Sequence, residues 1–151
     1  MACKNLRQYL RFPIQRGCFA MNTIKSKRVL VVDDDDDILD IMEEILTYEG
    51  YGVSSLDDTN DIFSEINRNR PDVIILDYIL NGINGGEICH QIKTNPNTAD
   101  IPVILMSAYP RVFGSLGNYG CNAFIAKPFD LNDITGRVNE LMNTSQNAGS
   151  C

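Results

Sequence analysis

The chain has 151 residues, of which 44% are hydrophobic and 22% are charged, and this composition fits one soluble domain with a sizeable core. The sequence contains no apolar run near the roughly 20 residues that cross a bilayer, so we expect no membrane contact. The net charge of −7 argues against a surface built to bind nucleic acid.

The charge is distributed unevenly along the chain. Residues 1–26 hold no acidic side chain, and their basic residues are Lys4, Arg7, Arg11, Arg16 and Lys25. We predict that this segment is a flexible basic extension, with a transit peptide or a short interaction arm as the alternative. The polar residues 144–151 are predicted to be a disordered tail, which leaves one domain over residues 27–143.

The five cysteines give no sign of a disulfide framework or a zinc site. Their number is odd, and none of them forms a C-x-x-C pair. A reducing compartment fits such isolated thiols best, so we predict a cytoplasmic protein.

The first predicted strand is the run RVLVV at residues 28–32, whose β-branched side chains are typical of a strand buried on both faces. An amphipathic helix follows, because apolar residues recur at helical spacing: Ile38, Ile41, Met42, Ile45 and Leu46. Gly50 stands where a glycine commonly caps the end of a helix.

The rest of the domain repeats the same alternation of strand and helix. Further strands are predicted at residues 51–56, 72–77, 101–108 and 122–126. The further helices are marked by apolar residues, which are Ile62, Phe63 and Ile66, then Ile88 and Ile92, then Val112, Phe113 and Leu116, and finally Ile134, Val138, Leu141 and Met142. The Gly- and Asn-rich segment 81–86 is predicted to be a loop.

Five such units in sequence predict a parallel sheet with helices on both faces, and sheets of this kind bind ligands at the carboxyl ends of their strands. Polar or charged residues end or follow four of the strands: Asp33, Asp34, Asp77, Ser107 and Lys127. We therefore expect three carboxylates, a hydroxyl and an ammonium group to meet at one edge of the sheet. Residues 35–37 complete a run of five aspartates and fall at the start of the first helix, where acids complement the helix dipole.

Three clustered carboxylates form a hard oxygen site of the kind that Mg²⁺ prefers. Two like charges about 4 Å apart cost on the order of 4 kcal/mol at an effective dielectric constant near 20, and a divalent cation offsets this repulsion. With a lysine and a hydroxyl nearby, such a site can hold a phosphoryl group, and an aspartate can itself be the nucleophile that forms an aspartyl-phosphate. Each residue alone is more often a turn, cap or solvated residue, so the prediction depends on their combination.

Four segments of the chain are similar, in this order, to the motifs of one family: VLVVDDDDDIL, PDVIILDYILNGINGGE, IPVILMSAY and AFIAKPFD. They resemble the receiver domain of two-component response regulators, and the resemblance covers residues 27–143. It implies an α/β fold of the flavodoxin-like type. Such a fold is a doubly wound, five-stranded parallel sheet with strand order 2-1-3-4-5 and helices on both faces.

The resemblance also implies a role for each residue at the strand ends. Asp77 is the implied phosphoacceptor, and Ser107 and Lys127 contact the transferred phosphoryl group. The implied ligands of Mg²⁺ are the carboxylates of Asp34 and Asp77 and the backbone carbonyl of Ile79, with Asp33 acting largely through water. Phe124 takes the position of an aromatic switch residue that turns inward as Ser107 moves, and Lys127–Pro128 is implied to be a cis peptide.

A receiver of this kind implies a signalling phosphoacceptor rather than an enzyme. Its implied partners are a histidine kinase or a histidine phosphotransfer protein as donor, and a downstream protein as target. We expect a stand-alone receiver that signals through phosphorylation-dependent protein contacts. A phosphorelay intermediate and a receiver-like binding module that is not phosphorylated are the alternatives. The only histidine, His90, is predicted to lie on the surface of the third helix and not to act as the donor.

Another class, an aspartyl-phosphate hydrolase, usually needs a second aspartate two residues after the nucleophile, and Ile79 occupies that position here. The chain also departs from the receiver pattern. Asn81 stands where the family most often has proline, so we expect a looser loop after Asp77. Phe124 has no hydroxyl, so a switch at this position works through packing, and the segment between Ser107 and Lys127 is shorter than usual.

Overall fold

Seven strands and four helices are present in residues 26–109, 111, 114, 117 and 119–147, the part of the chain that the computed structural model describes. The strands are β1 Arg28–Val32, β2 Gly52–Leu56, β3 Val73–Asp77, β4 Ile79–Leu80, β5 Ile83–Asn84, β6 Val103–Ser107 and β7 Ala123–Ala126. The helices are α1 Asp36–Tyr48, α2 Ile62–Asn69, α3 Gly85–Thr94 and α4 Leu131–Asn147.

Five of the strands form one parallel sheet in the order β2-β1-β3-β6-β7. Counted in chain order within this sheet, the order is 2-1-3-4-5, so the predicted doubly wound sheet is confirmed. The register pairs Val32 with both Leu56 and Leu76, and it pairs Ser107 with Ala126. The carboxyl ends of neighbouring strands therefore lie side by side along one edge.

Side chains that alternate along the strands build a separate core on each face of the sheet. One core packs under α1 and α4 and includes Val29, Val31, Met42, Ile104 and Val138. The other packs under α2 and α3 and includes Leu30, Val32, Ile66, Leu76 and Ile92. Burying each such side chain contributes about 1.5 to 3 kcal/mol relative to exposure. Because β1, β3 and β6 are covered on both faces, their sequences are continuous apolar runs rather than alternating ones.

Helix α1 begins and ends at residues with clear capping signals. Asp35 is the N-cap, and its side chain accepts hydrogen bonds from the N–H groups of Asp37 and Ile38 at 3.0 and 3.4 Å. At the other end, Gly50 has φ +90°, and the N–H groups of Gly50 and Tyr51 donate back to carbonyl groups of the last turn. The last three of the five aspartates thus start the helix, as predicted, and the first two remain at the strand end.

The buried face of α1 differs from the predicted one. Leu39 is buried together with Met42 and Leu46, whereas Ile41, which helical spacing places on the buried face, is 43% exposed. The apolar face of α1 is wider than the surface that the sheet can bury, because the helix packs on the sheet along only one side. Ile41 instead lines a surface groove with the exposed Leu131 at the start of α4.

The segment after β3 is a two-stranded hairpin, so the predicted loop over residues 81–86 is confined to its first two residues. Strands β4 and β5 pair antiparallel, and Asn81 and Gly82 form the two-residue turn between them. Both turn residues have positive φ values, +49° and +81°, as a type I′ turn requires, and Asn-Gly is the sequence that favours this turn most strongly. Helix α3 then begins at Gly85, within the predicted loop.

Helix α4 runs to Asn147 and so enters the segment 144–151, for which the polar composition predicts disorder. The hydroxyl groups of Thr144 and Ser145 donate to backbone carbonyl groups one turn earlier, at 2.8 and 3.1 Å. Residues 137–148 contain neither proline nor glycine. The first four residues of the predicted tail therefore belong to α4, whose last apolar residues, Leu141 and Met142, pack on the core.

Two other predictions fall outside the described residues. These are the basic extension, of which only Ser26 is described, and the short helix marked by Val112, Phe113 and Leu116. Residues 148–151 also lie outside them. None of the described helices is long and apolar enough to cross a membrane.

Candidate functional site

The polar residues at the strand ends converge at one edge of the sheet. Asp33 follows β1, Asp77 ends β3 and Ser107 ends β6. One carboxylate oxygen from each of Asp33, Asp34 and Asp77 lies within 4.8 Å of the other two. The parallel register of β1 and β3 explains this cluster, since it places the residues at the ends of both strands at the same height.

Lys127 connects the two buried carboxylates. Its ammonium nitrogen lies 2.7 Å from Asp33 Oδ2 and 2.9 Å from Asp77 Oδ1. Asp33 is fully buried and Asp77 is 7% exposed, so without the lysine both carboxylates would lose the positive charge that pairs with them. The backbone N–H of Lys127 donates to the carbonyl of Ser107 at 2.8 Å, which fixes the origin of the lysine side chain beside β6.

The surroundings of Asp77 and Lys127 shift both pKa values. Burial is the largest cause that raises the pKa of Asp77; the neighbouring acids raise it further, and the hydrogen bond and charge of Lys127 lower it. Burial lowers the pKa of Lys127, but its hydrogen bonds and charge interactions with Asp33 and Asp77 outweigh this, and the net pKa is raised. Asp77 is thus poorly stabilised as an anion, and additional positive charge beside it would favour its ionised form.

Backbone donors orient the other two carboxylates of the cluster. Asp33 Oδ1 accepts a hydrogen bond from the N–H of Asp35 at 3.0 Å. Asp34 Oδ2 accepts one from the N–H of Asn81, in the hairpin turn, at 2.9 Å. Hydrogen bonds of this kind to a charged acceptor are stronger than neutral ones, so the cluster is held in place by the protein itself.

A cleft of about 220 Å³ opens beside Asp77. Its lining residues are Asp77, Ile79, Ser107, Ala108, Tyr109 and Lys127. Ser107 is buried, and its Oγ accepts a hydrogen bond from the N–H of Tyr109 at 2.9 Å, while the hydroxyl keeps its own proton to donate. The cleft is smaller than the roughly 300 to 1,000 Å³ of a pocket for a drug-sized ligand, but a phosphoryl group fits in it.

Tight packing after β3 fixes the backbone of Asp77. The N–H of Tyr78 donates to the carbonyl of Met106 at 2.8 Å, and the N–H of Gly85 donates to the carbonyl of Tyr78 at 2.6 Å. A side chain at Gly85 would collide with the carbonyl oxygen of Asp77. The sequence motifs did not predict this role of Gly85; its signal is a glycine in the first turn of a helix, where other residues are better helix formers.

The carboxylate cluster fits a small, hard divalent cation. Its ligand atoms are carboxylate oxygens, which suit Mg²⁺ better than metals that prefer thiolate or imidazole ligands. Three carboxylates and one lysine leave two formal negative charges, which one divalent cation balances. Ile79 lines the cleft beside Asp77, so its backbone carbonyl is a candidate for a further ligand of the cation.

Phe124 and His90, which the sequence also singled out, belong neither to the carboxylate cluster nor to the lining of the cleft. Phe124 lies within β7, opposite Leu105, and is half-buried against the core under α2 and α3. His90 is exposed on α3, as predicted. The peptide bond between Lys127 and Pro128 is cis, as the resemblance implies.

Comparison with known proteins identifies relatives of this chain. Residues 29–139 match the family model of the response regulator receiver domain. Response regulator ArlR of Staphylococcus aureus is 33% identical over 119 residues, and the match covers 76% of this chain and 52% of ArlR. The chain therefore spans about half the length of this curated relative.

Solved structures with this fold include two response regulators. A CheY-like receiver domain protein of Methanospirillum hungatei has a TM-score of 0.73 at 26% identity, and the match covers 82% of this chain and 99% of that one. Response regulator TrrA of Thermotoga maritima, solved in complex with Mg²⁺ and BeF, has a TM-score of 0.69 at 28% identity, with 76% and 98% covered. Because the family model matches most of the chain and the fold agrees, this protein belongs to the response regulator receiver domains of two-component signalling.

Proposed function

We propose that Asp77 accepts a phosphoryl group from a histidine kinase or a histidine phosphotransfer protein, in a reaction that requires Mg²⁺. The observation that carries this proposal is the position of Asp77, which belongs to the carboxylate cluster, contacts Lys127 and lines the cleft. Asp33 belongs to the same cluster but is fully buried, so Asp77 is the better placed nucleophile.

Phosphoryl transfer requires positioning and charge stabilisation more than covalent chemistry from the protein. A carboxylate oxygen of Asp77 attacks phosphorus, the P–N bond to the donor imidazole breaks, and the electron pair of that bond stays with the imidazole nitrogen. Lys127 and the hydroxyl of Ser107 line the cleft, so both can contact the phosphoryl oxygens as negative charge develops there.

The residues that would hold Mg²⁺ are Asp33, Asp34 and Asp77 together with the backbone carbonyl of Ile79. When bound, the cation would neutralise the carboxylates and the incoming phosphoryl oxygens. The raised pKa of Asp77 supports this assignment, because burial disfavours its anion and a nearby positive charge would keep it ionised and nucleophilic.

Signalling would begin at Ser107, which lies at the end of β6 beside the phosphoacceptor. Phosphorylation adds negative charge and acceptor oxygens, and the Ser107 hydroxyl that moves toward them would leave its contact with the N–H of Tyr109. Phe124 would then repack against β6, and output would go through altered protein contacts. Onward transfer of the phosphoryl group in a phosphorelay is the second candidate function.

Incubation with acetyl phosphate and Mg²⁺, followed by measurement of the intact mass, tests the proposal. We expect a gain of one phosphoryl group, because acetyl phosphate supplies the same group and releases acetate. The gain should be absent when EDTA replaces Mg²⁺, and hydroxylamine should remove the group because it cleaves acyl phosphates.

A second donor covers the case in which a protein partner is needed. A phosphorylated histidine phosphotransfer domain, incubated with the chain under the same conditions, should pass its label to the chain only in the presence of Mg²⁺. Absence of transfer from both donors would contradict the proposal and favour a receiver-like binding module that is not phosphorylated.

A further inference from the structure

The turn formed by Asn81 and Gly82 reaches back to the carboxylate cluster. The backbone N–H of Asn81 donates to Asp34 Oδ2 at 2.9 Å, and its side-chain Nδ2 donates to the carbonyl of Asp57 at 3.3 Å. Asp34 lies just beyond β1 and Asp57 just beyond β2. One turn residue therefore connects the ends of two neighbouring strands to the hairpin that follows Asp77.

An unusual backbone conformation directs this N–H toward Asp34. Asn81 has φ +49°, in the left-handed region that asparagine adopts more readily than most residues. Gly82 follows with φ +81° and completes the turn. A proline at position 81 could not do the same, because its ring fixes φ near −65° and it has no N–H.

Asp34 depends on such a donor more than the other two acids do. Asp33 and Asp77 are buried and both contact Lys127, whereas Asp34 is exposed. An exposed aspartate populates several rotamers unless a partner selects one. The hydrogen bond from Asn81 is such a partner, and it holds the Asp34 carboxylate within reach of the other two.

We infer that Asn81 is a positioning residue of the cation site, whose backbone N–H holds Asp34 in the orientation that binds Mg²⁺. This inference rests on the proposed function, since it concerns the cation that phosphoryl transfer would use. Groups that orient a metal ligand without touching the metal typically change metal affinity by about 10- to 100-fold when they are removed. The side chain of Asn81 has a lesser part, which is to fix the turn against the end of β2.

Two substitutions of Asn81 separate the N–H from the side chain. Asn81→Gly keeps the N–H and the positive φ but removes the carboxamide, whereas Asn81→Pro removes the N–H and excludes the positive φ. The measurement is isothermal titration of each metal-free protein with MgCl₂. We expect Asn81→Gly to bind about as tightly as the parent chain and Asn81→Pro to bind at least about 10-fold more weakly.

A purely structural role of Asn81 would give a different result. Asn81→Pro would then melt at a lower temperature in EDTA, but the folded protein would bind Mg²⁺ as tightly as the parent chain, and this outcome would overturn the inference. An equal loss of affinity in Asn81→Gly and Asn81→Pro would also overturn it, because the N–H would not be the group responsible.

A second measurement decides the question even if Asn81→Pro does not fold. In proton–nitrogen correlation spectra of the metal-free protein, Asp34→Ala should move the Asn81 amide proton upfield, because that proton loses a charged acceptor. Asp36→Ala, which changes an exposed acid at the start of α1, is the matched control and should leave the amide in place. An Asn81 amide that does not respond to Asp34→Ala overturns the inference. If Asp34→Ala moves the Asn81 amide but the parent chain binds no Mg²⁺, the result contradicts the proposed function, and the inference with it.

Discussion

Asp77→Asn is expected to abolish phosphoryl incorporation from acetyl phosphate and Mg²⁺. Asparagine keeps the shape of the side chain, but its amide is not a nucleophile, so the intact mass of the variant should stay unchanged. Asp33 is not expected to take over the reaction, because it is fully buried and does not line the cleft. Asp34 is directed toward the hairpin turn by the N–H of Asn81.

The matched control is Asp37→Asn. Asp37 belongs to the same run of five aspartates but is exposed in the first turn of α1, where it lies beyond the N-cap Asp35. This variant should gain one phosphoryl group as fully as the parent chain. Incorporation into Asp77→Asn at the level of the parent chain would show that the phosphoryl group goes to another residue and would refute the assignment.

The same Asp77→Asn substitution should make the metal-free protein more stable at neutral pH. Burial raises the pKa of Asp77, so the folded state binds this proton more tightly than the unfolded state does. The contribution of this proton to the free energy of unfolding is fully present below the pKa that Asp77 has in the unfolded state. It is lost as pH rises through the higher pKa of Asp77 in the folded state. At neutral pH the ionised carboxylate therefore destabilises the fold relative to a neutral amide, and the variant should melt above the parent chain in EDTA. The difference should shrink as pH falls through the carboxyl range; a lower melting temperature of the variant at neutral pH would contradict this expectation.

The two results expected for Asp77→Asn have opposite signs, which is what we expect of a residue retained for function rather than for stability. A side chain selected only for stability would not place a third carboxylate beside Asp33 and Asp34 in a partly buried edge. Such a site is destabilising in the absence of its ligand, and the rest of the fold compensates for it. The two cores on either face of the sheet supply that compensation.

The strands and the convergence of the site could be predicted because burial on both faces of a sheet leaves a clear sequence pattern. Predicted strands at residues 28–32 and 72–77 correspond to β1 Arg28–Val32 and β3 Val73–Asp77. Once five parallel strands alternate with helices, their carboxyl ends must share one edge. The proximity of Asp33 and Asp77 follows from this topology before any contact is known.

The features that the sequence did not predict depend on context that periodicity does not contain. The Asn81–Gly82 pair is a strong turn signal, but the strands beside it have two residues each, too few to give a recognisable pattern. Helical spacing shows that α1 has a broad apolar face, but it does not show that the sheet covers Leu39 and leaves Ile41 exposed. The contact from Asn81 to Asp34 joins residues that are distant in sequence, so it is visible only in the fold.

Lys127→Met is expected to lower the free energy of unfolding of the metal-free protein by about 3 kcal/mol at neutral pH. Methionine keeps a long apolar side chain and removes the ammonium group. Asp33 then loses its partner at 2.7 Å and Asp77 its partner at 2.9 Å, so charge remains in a poorly solvated edge. Urea unfolding of both proteins in EDTA measures the difference.

A second substitution separates the charge of Lys127 from the packing of its stem. Asp33→Asn in the Lys127→Met chain removes the buried charge and should restore most of the lost free energy, with a coupling of about 1 to 3 kcal/mol in the double-mutant cycle. Additive effects would show that the stem and not the charge stabilises this edge. Arg137 and Glu140 form a pair at 3.0 Å on the exposed face of α4, and Arg137→Met should cost less than about 1 kcal/mol.

Addition of Mg²⁺ completes the test of Lys127, because the lysine and the cation would act on the same carboxylates. With Lys127 in place the cluster carries two formal negative charges, and in Lys127→Met it carries three. Mg²⁺ should therefore raise the melting temperature of Lys127→Met by more than that of the parent chain. An equal rise in both proteins would show that the two positive charges act independently, and a smaller rise in the variant would show that the lysine supports cation binding. A larger rise would show that Lys127 and the cation neutralise the same carboxylates. The lysine then neutralises one of the three negative charges, which keeps the fold stable without a cation, and it leaves two charges for a divalent cation to balance.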